Sequence, residues 1–123
     1  MAKSVGVGGV FLKARDPKAL AAWYAAQFGI QEVGGGSLFF DGPESTGMTV
    51  FSQFPVDTKY FGDGEQQFMI NLRVDDLDQM LVQLAEAGVR IDPKRDDHEY
   101  GKFAWIWDPE GNRVELWQAP PSE

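Results

Sequence analysis

The amino-acid sequence predicts an α+β fold in which two tandem βαβββ modules form a curved mixed sheet around a cavity. Three observations predict this class. Two helix starts of one kind lie 60 residues apart, strand-like runs surround each helix in the same order, and the two faces of these strands differ in chemistry. The 123 residues suffice for one hydrophobic core. We therefore expect a single domain at 1–123, with module one at 5–54, a linker at 55–67 and module two at 68–119.

Composition narrows the class of protein. Hydrophobic residues make up 43% of the chain and charged residues 24%, which is typical of an ordered globular protein. The net charge is −8 and the basic residues are scattered, so neither nucleic acid nor an anionic membrane is an expected partner. The absence of cysteine excludes disulfides, thiolate nucleophiles and thiolate metal sites. Because Met1 to Ser4 lead into a glycine-rich strand and not into an apolar signal segment, a soluble cytoplasmic protein is expected.

The first helix is predicted to begin after Asp16, which is a favourable N-cap, with Pro17 at the first helical position. Gly29 is expected just past its end. Its apolar stripe is predicted to consist of Leu20, Trp23, Tyr24 and Phe28.

The second helix has the same signals. Asp76 is the predicted N-cap with Gln79 three residues later, and Gly88 follows the expected end. The apolar stripe is predicted to consist of Leu77, Met80, Leu81 and Leu84.

Strand-like runs occur in the same order around both helices. In the first half they are residues 5–14 before the helix, and 30–33, 37–40 and 48–53 after it. In the second half they are residues 68–74 before the helix, and 89–91, 102–107 and 114–118 after it. The Pro-Glu-Gly segment within residues 108–112 predicts a tight hairpin turn between the last two strands.

The two faces of the strands separate by chemistry, since successive side chains point to opposite sides of a sheet. One face is aliphatic and is expected to pack on the two helices. The other face carries the residues that we expect to contact a ligand, namely Phe11, Phe51, Asn71, Arg73, Phe103, Trp105, Trp107, Arg113, Glu115 and Trp117. Unpaired charges are costly in a dry core, which favours a lined cavity. Half-exposed sheets also mix aromatic and charged residues without any ligand, so this alternative stays open.

Three segments carry a resemblance to a known family. They are residues 13–17 and 73–77, which lead into the two helices, and residues 107–116, which contain the final turn and strand. Together with the repeated βαβββ order, they resemble the glyoxalase / bleomycin-resistance / extradiol-dioxygenase superfamily, also called vicinal oxygen chelate proteins. The resemblance implies a glyoxalase-like fold whose strands curve around a ligand cavity, commonly in a homodimer. In the family's enzymes it implies a divalent metal held from four strands.

The family's four metal-ligand positions fall here on Gly9, Thr49, Met69 and Glu115. Glycine supplies no donor, a thioether is a poor ligand for hard cations, and a neutral hydroxyl is a weak one. We therefore expect no metal and no other cofactor, and a divalent metal is implied only if the chain is an enzyme.

Two ionisable residues keep alternative interpretations. His98, the only histidine, is either a base or ligand on a loop over the cavity, or a solvated loop residue beside carboxylates. Glu115 is either a residual acid or base, an anchor for a cation, or the partner of Arg113 or Arg73.

Three functions compete. The first is a metal-free small-molecule binding protein, as in the drug-sequestering bleomycin-resistance branch of the family. The second is a metal-dependent glyoxalase- or dioxygenase-like lyase, isomerase or oxygenase that uses Glu115. The third is a protein-interaction module whose aromatic face is covered by a partner.

Overall fold

The computed structural model describes residues 1–33, 37–40 and 49–121, the side chains of residues 31–33 and 37–40 excepted. These ranges contain eight strands and two helices, in the order β1 (Ser4–Ala14), α1 (Pro17–Phe28), β2 (Gln31–Val33), β3 (Ser37–Phe40), β4 (Thr49–Pro55), β5 (Phe68–Val74), α2 (Leu77–Glu86), β6 (Ile91–His98), β7 (Gly101–Trp107) and β8 (Arg113–Gln118). The predicted α+β class and the repeated βαβββ order are confirmed. The chain divides into two compact units: a first unit, Gly8–Met69, and a second unit, Met1–Val7 with Ile70–Glu123.

In the first unit the strand order is β2-β3-β4-β1. The pair β1 and β4 is parallel, whereas β4 with β3 and β3 with β2 are antiparallel. Helix α1 packs against β4. A parallel pair needs a crossover connection, and α1 provides part of it.

In the second unit the order is β5-β8-β7-β6, with β5 and β8 parallel and the other two pairs antiparallel. The aliphatic face of this sheet packs on α2, as predicted. The buried members of this core are Val74, Leu77, Ala104 and Leu116, and Leu72, Met80, Leu81, Leu84, Ile106 and Val114 pack around them.

Capping signals place both helices where the sequence predicts them. Asp16 accepts a hydrogen bond from the Ala19 backbone N–H at 3.1 Å, and Asp76 accepts one from the Gln79 N–H at 3.0 Å. Gly29 ends α1 in the left-handed region at φ 69°. These bonds satisfy N–H groups that a helix start otherwise leaves unpaired.

The N-terminal residues belong to the second unit and are held by α2. Ala2 is buried, its N–H donates to Gln83 Oε1 at 2.6 Å, and its carbonyl accepts from Gln83 Nε2 at 3.1 Å. The Lys3 N–H donates to Asp75 Oδ1 at 2.9 Å. The sequence contains no signal for these contacts, because they join residues 72 to 81 positions apart.

The predicted stripe of α1 is wrong in part. Ala21 is the buried residue of the helix, whereas Trp23 is 50% and Phe28 67% exposed. The rings of Trp23, Tyr24 and Phe28 contact one another at centroid distances of 5.0 to 6.0 Å. Of the predicted stripe, Trp23 and Phe28 are therefore exposed, whereas Tyr24 is half-buried.

The predicted run at 89–91 is misplaced, because strand β6 begins at its last residue, Ile91, and continues to His98 through residues that the sequence places in a loop. The strand lies at the end of the sheet order in its unit, and its register with β7 shifts between Ile91 and Arg95. Charged residues and Pro93 in such a run suit an edge strand with an irregular register.

Candidate functional site

Strand register places eight of the predicted ligand residues on one face of the second unit's sheet. Paired residues of neighbouring strands point to the same side of the sheet. Between β5 and β8, Asn71 pairs with Glu115 and Arg73 with Trp117. Between β7 and β8, Trp105 pairs with Glu115, Phe103 with Trp117 and Trp107 with Arg113. We call this set, opposite the α2 side, the aromatic face: Asn71, Arg73, Phe103, Trp105, Trp107, Arg113, Glu115 and Trp117. Its role in ligand binding stays a prediction.

Glu115 lies at the centre of this face and is 2% exposed. Its Oε1 accepts a hydrogen bond from Asn71 Nδ2 at 2.6 Å, and its Oε2 accepts one from Trp105 Nε1 at 3.0 Å. Buried polar groups require such partners. The sequence points to arginine partners and does not predict these two neutral donors, because it does not reveal which residues pair across strands.

Arg113 is buried and paired with a residue that sequence reasoning missed. Its Nη2 lies 2.7 Å from Asp92 Oδ2, and its guanidinium lies over the rings of Trp105 and Trp107, at 5.1 and 5.7 Å. The hydrogen bond from Arg113 is the largest cause that lowers the pKa of Asp92. The Arg113 charge is already paired with Asp92. The charged residues of the aromatic face are therefore not, by themselves, evidence for a solvent-filled cavity.

A row of stacked rings crosses the aromatic face. The Arg73 guanidinium lies 5.4 Å from the Trp117 ring, and the rings of Trp117 and Phe103 lie 5.9 Å apart at 7° to each other. His98 stacks on Phe103 at 5.0 Å and 22°. The expectation of a loop position for His98 is wrong, since it ends strand β6. It is exposed, as one interpretation held, and its ring extends the stack.

Exposure differs across the aromatic face. Trp105 is 1% and Trp117 7% exposed, and Asn71 is as buried as Glu115. Half-buried side chains form the accessible part of the face, namely Arg73, Phe103 and Trp107. A ligand would therefore meet these three side chains first.

In the first unit, Phe11 and Phe51 lie on opposite faces. The ring of Phe11 lies 5.6 Å from that of Phe54. The ring of Phe51 lies 4.8 Å from that of Tyr24 on α1, edge to face, so Phe51 is on the helix side. The prediction that these two residues share a face is wrong. Apolar residues point to both sides of β4, at positions 50, 51 and 54. The sequence therefore does not show which side faces the helix, and only the pairing of β4 with β1 decides this.

The pairing of β1 with β4 also corrects one of the four predicted metal-ligand positions of the family. Phe11 precedes Asn71 by 60 residues and is its counterpart in the repeat. Phe11 pairs with Ser52 on β4, whereas Asn71 pairs with Glu115 on β8. Ser52, and not Thr49, is therefore the counterpart of Glu115.

The residues present do not fit the metal that the family implies. A Cβ added at Gly9 would lie 2.8 Å from the Val50 carbonyl oxygen, so a larger ligand residue cannot stand there unless β4 moves. Met69 is fully buried and offers a thioether. The described residues contain no group of three or more His, Asp or Glu that could hold a metal ion.

A shallow cleft of about 340 Å³ lies elsewhere in the first unit, beside the predicted linker. It is lined by charges of both signs, including Lys13, Lys59, Asp57 and Asp63. None of the predicted ligand residues lines it. Neither described helix is long and apolar enough to cross a membrane.

The family comparison confirms the resemblance. The model of the Glyoxalase/Bleomycin resistance protein/Dioxygenase superfamily matches residues 6–116, and the chain belongs to this superfamily. No curated protein sequence matches the chain.

Solved structures share the fold. The chain is similar to the methylmalonyl-CoA epimerase from Mycobacterium tuberculosis, with 21% identity, a TM-score of 0.69, and coverage of 96% of this chain and 90% of that one. It is also similar to a methylmalonyl-CoA epimerase in complex with methylmalonyl-CoA and NH4+, with 15% identity, a TM-score of 0.73, and coverage of 98% and 99%. A variant of the Streptomyces coelicolor methylmalonyl-CoA epimerase in complex with 2-nitronate-propionyl-CoA gives the same four values.

Proposed function

We propose that this chain is a metal-free small-molecule binding protein whose ligand contacts the aromatic face. The observation that carries the proposal is the buried Glu115 carboxylate, held by Asn71 and Trp105 in the middle of a face with two further tryptophans. Aromatic rings around a few oriented polar groups are the usual composition of a ligand site. Solved structures of this fold in complex with coenzyme A derivatives support small-molecule binding as a use of the fold.

The accessible side chains favour a ligand with a flat apolar part. Phe103 and Trp107 are half-buried, and their ring faces already contact His98 and Trp117 or Arg90 and Arg113. An edge-to-face contact of an aromatic ligand with such rings contributes about 0.5–1.5 kcal/mol beyond the buried area. Cations border the rings: the Arg90 guanidinium lies 3.7 Å from the Trp107 ring, and Lys94 Nζ lies 5.2 Å from the Trp105 ring. These cations supply positive charge at the rim of the rings.

Tryptophan fluorescence tests the proposal, because three of the four tryptophans lie on the aromatic face. A panel of small aromatic probes should give saturable changes in emission. Trp107→Leu should weaken the binding of the best probe at least about fivefold, as expected for losing one aromatic contact. The matched control is Trp23→Leu, which alters an exposed ring on α1 and should leave the dissociation constant unchanged. A flat titration across the panel would contradict small-molecule binding and favour the protein-interaction module.

Metal content tests the second half of the proposal. Protein purified without chelator should contain far less than one equivalent of Mn, Fe, Co, Ni or Zn, because Glu115 is the one carboxylate among the family's ligand positions. A full equivalent of any of these metals would overturn the metal-free assignment.

A second candidate is an isomerase in which Glu115 transfers a proton. The buried, oriented carboxylate favours it, since a base must be held in position. The carboxylate would take a proton from a carbon next to a carbonyl and return one to that carbon. Incubation with methylmalonyl-CoA in D2O, followed by NMR of the proton at that carbon, tests this function. Glu115→Gln should abolish any exchange, whereas in a binding protein it should only change affinity.

We further expect a homodimer in the cytoplasm that binds neither nucleic acid nor membranes. The net charge of −8 supports the last two expectations. Sedimentation velocity at micromolar concentration should give a species of twice 13.7 kDa. A monomer under these conditions would contradict the homodimer.

A further inference from the structure

Among the described residues, the amide nitrogen of Asn71 has a hydrogen-bond partner and the amide oxygen has none. Asn71 is 2% exposed, and its Nδ2 donates to Glu115 Oε1 at 2.6 Å. Its Oδ1 is buried and has no hydrogen-bond partner among the residues that the structure describes. A buried acceptor without a partner loses its water and gains nothing in return, so it requires an explanation.

The orientation of this amide is determined by its neighbours. If the amide were flipped, Oδ1 would face a carboxylate oxygen of Glu115 and two acceptors would be opposed. Trp105 Nε1 holds the same carboxylate from its other oxygen. The row of indole, carboxylate and amide therefore keeps Oδ1 as an acceptor on the aromatic face.

We propose that Asn71 Oδ1 binds a hydrogen-bond donor of the ligand, so that the site selects molecules with an N–H or O–H group beside a flat apolar part. This inference rests on the proposed function and names the class of ligand. The neighbouring Glu115 carboxylate favours a neutral or cationic donor over an anion at this point. Primary amides, amidines and alcohols fit this description, whereas ketones and carboxylates of the same shape do not.

A matched pair of neutral probes tests the inference. Benzamide and acetophenone have nearly the same shape, but only benzamide carries an N–H donor. We expect benzamide to bind the unmodified protein about five- to tenfold more tightly than acetophenone, which is the usual contribution of one hydrogen bond. Benzamidine and benzoate extend the series to a cationic donor and an anion, and benzoate should bind most weakly. Chemical-shift changes at the Asn71 side-chain NH2 and the Trp105 indole N–H locate the bound probe.

Asn71→Leu keeps the branched shape of the side chain and removes the acceptor, together with the Nδ2 donor to Glu115, so the preference for benzamide should fall to within about twofold. The control Gln27→Leu changes an exposed amide on α1 and should leave the preference intact. Equal binding of benzamide and acetophenone to the unmodified protein overturns the inference and leaves the proposed function standing. A preference that persists in Asn71→Leu also overturns it. Failure of all four probes to bind refutes both, and the ranking in the unmodified protein decides even if the variant does not fold.

Discussion

Gly101 begins β7 at a position where no other residue fits. Its φ is +127°, and an added Cβ would collide with the Gln118 carbonyl oxygen and lie 2.7 Å from Trp117 Nε1. Trp117 Nε1 donates to the Tyr100 carbonyl at 2.8 Å, so this close packing holds the tryptophan of the stacked row. The backbone of one residue thereby positions part of the aromatic face.

Gly101→Ala should lower the free energy of unfolding by about 2 kcal/mol or more, because strain at φ and the collision with backbone add together. Urea denaturation followed by circular dichroism measures it. The matched control is Gly64→Ala, where an added Cβ meets nothing within 4 Å and the change should be small. Equal urea midpoints for the two variants would contradict this expectation, because the backbone around Gly101 would then accommodate the added Cβ without loss of stability.

Gln53 is a second residue with unpartnered polar atoms. It is 8% exposed, and neither Nε2 nor Oε1 has a hydrogen-bond partner in the described ranges. Gln53→Leu should raise the free energy of unfolding by about 1–2 kcal/mol, since an apolar side chain of similar volume avoids the desolvation penalty. Thermal denaturation of the variant and the unmodified protein shows whether the substitution stabilises the fold. Destabilisation by more than 1 kcal/mol would indicate that water or another group satisfies this amide.

At the scale of the element, Asp76 determines where α2 begins. Asp76→Ala should lower the free energy of unfolding by about 1 kcal/mol, because it removes the acceptor for the Gln79 N–H. Glu86→Ala at the other end of the same helix is the control and should change stability by less than about 0.5 kcal/mol. If both variants unfolded at the same urea concentration, the cap would contribute nothing measurable.

The strands show how far the sequence predicts the site. In β8 the residues at 113, 115 and 117 are two charged residues and a tryptophan, and the residues between them include Val114 and Leu116, so the two faces are unambiguous. In β4 the apolar residues Val50 and Phe51 are adjacent, so the pattern fits either face. Sequence alternation therefore predicts the aromatic face of the second unit and misplaces Phe51. The hydrogen bonds at Glu115 escape prediction because they depend on the pairing of β5, β7 and β8.

At the scale of the whole molecule, three aspartates link stability to pH. The pKa of Asp78 is lowered by Arg95 and Lys102, that of Asp92 chiefly by Arg113, and that of Asp108 chiefly by the Asn112 side chain. A carboxylate with a lowered folded-state pKa stabilises the fold above its unfolded-state pKa of about 3.9. This stability is lost as the pH falls through the folded-state pKa.

We therefore expect the urea midpoint to be nearly constant from pH 7 to about pH 5 and to fall below pH 4, and the exposed Asp78 pair should contribute little to this fall. Denaturation series at pH 7, 5, 4 and 3 test this expectation. In Asp92→Asn the fall should be shallower, because one linked carboxylate is gone. Asp63→Asn, at an exposed position, should keep the slope of the unmodified protein. A midpoint that rises between pH 4 and pH 3 would contradict the assigned direction of the shifts.

The chain carries a net charge of −8, yet Arg73, Arg90 and Lys94 lie against the rings of the aromatic face. Cations therefore border the rings of a chain whose overall charge is negative. Added salt screens the long-range field first, so it should slow the diffusional arrival of a cation and speed that of an anion. The dependence of the association rate on ionic strength therefore reports the sign of the charge on any ligand that binds this face.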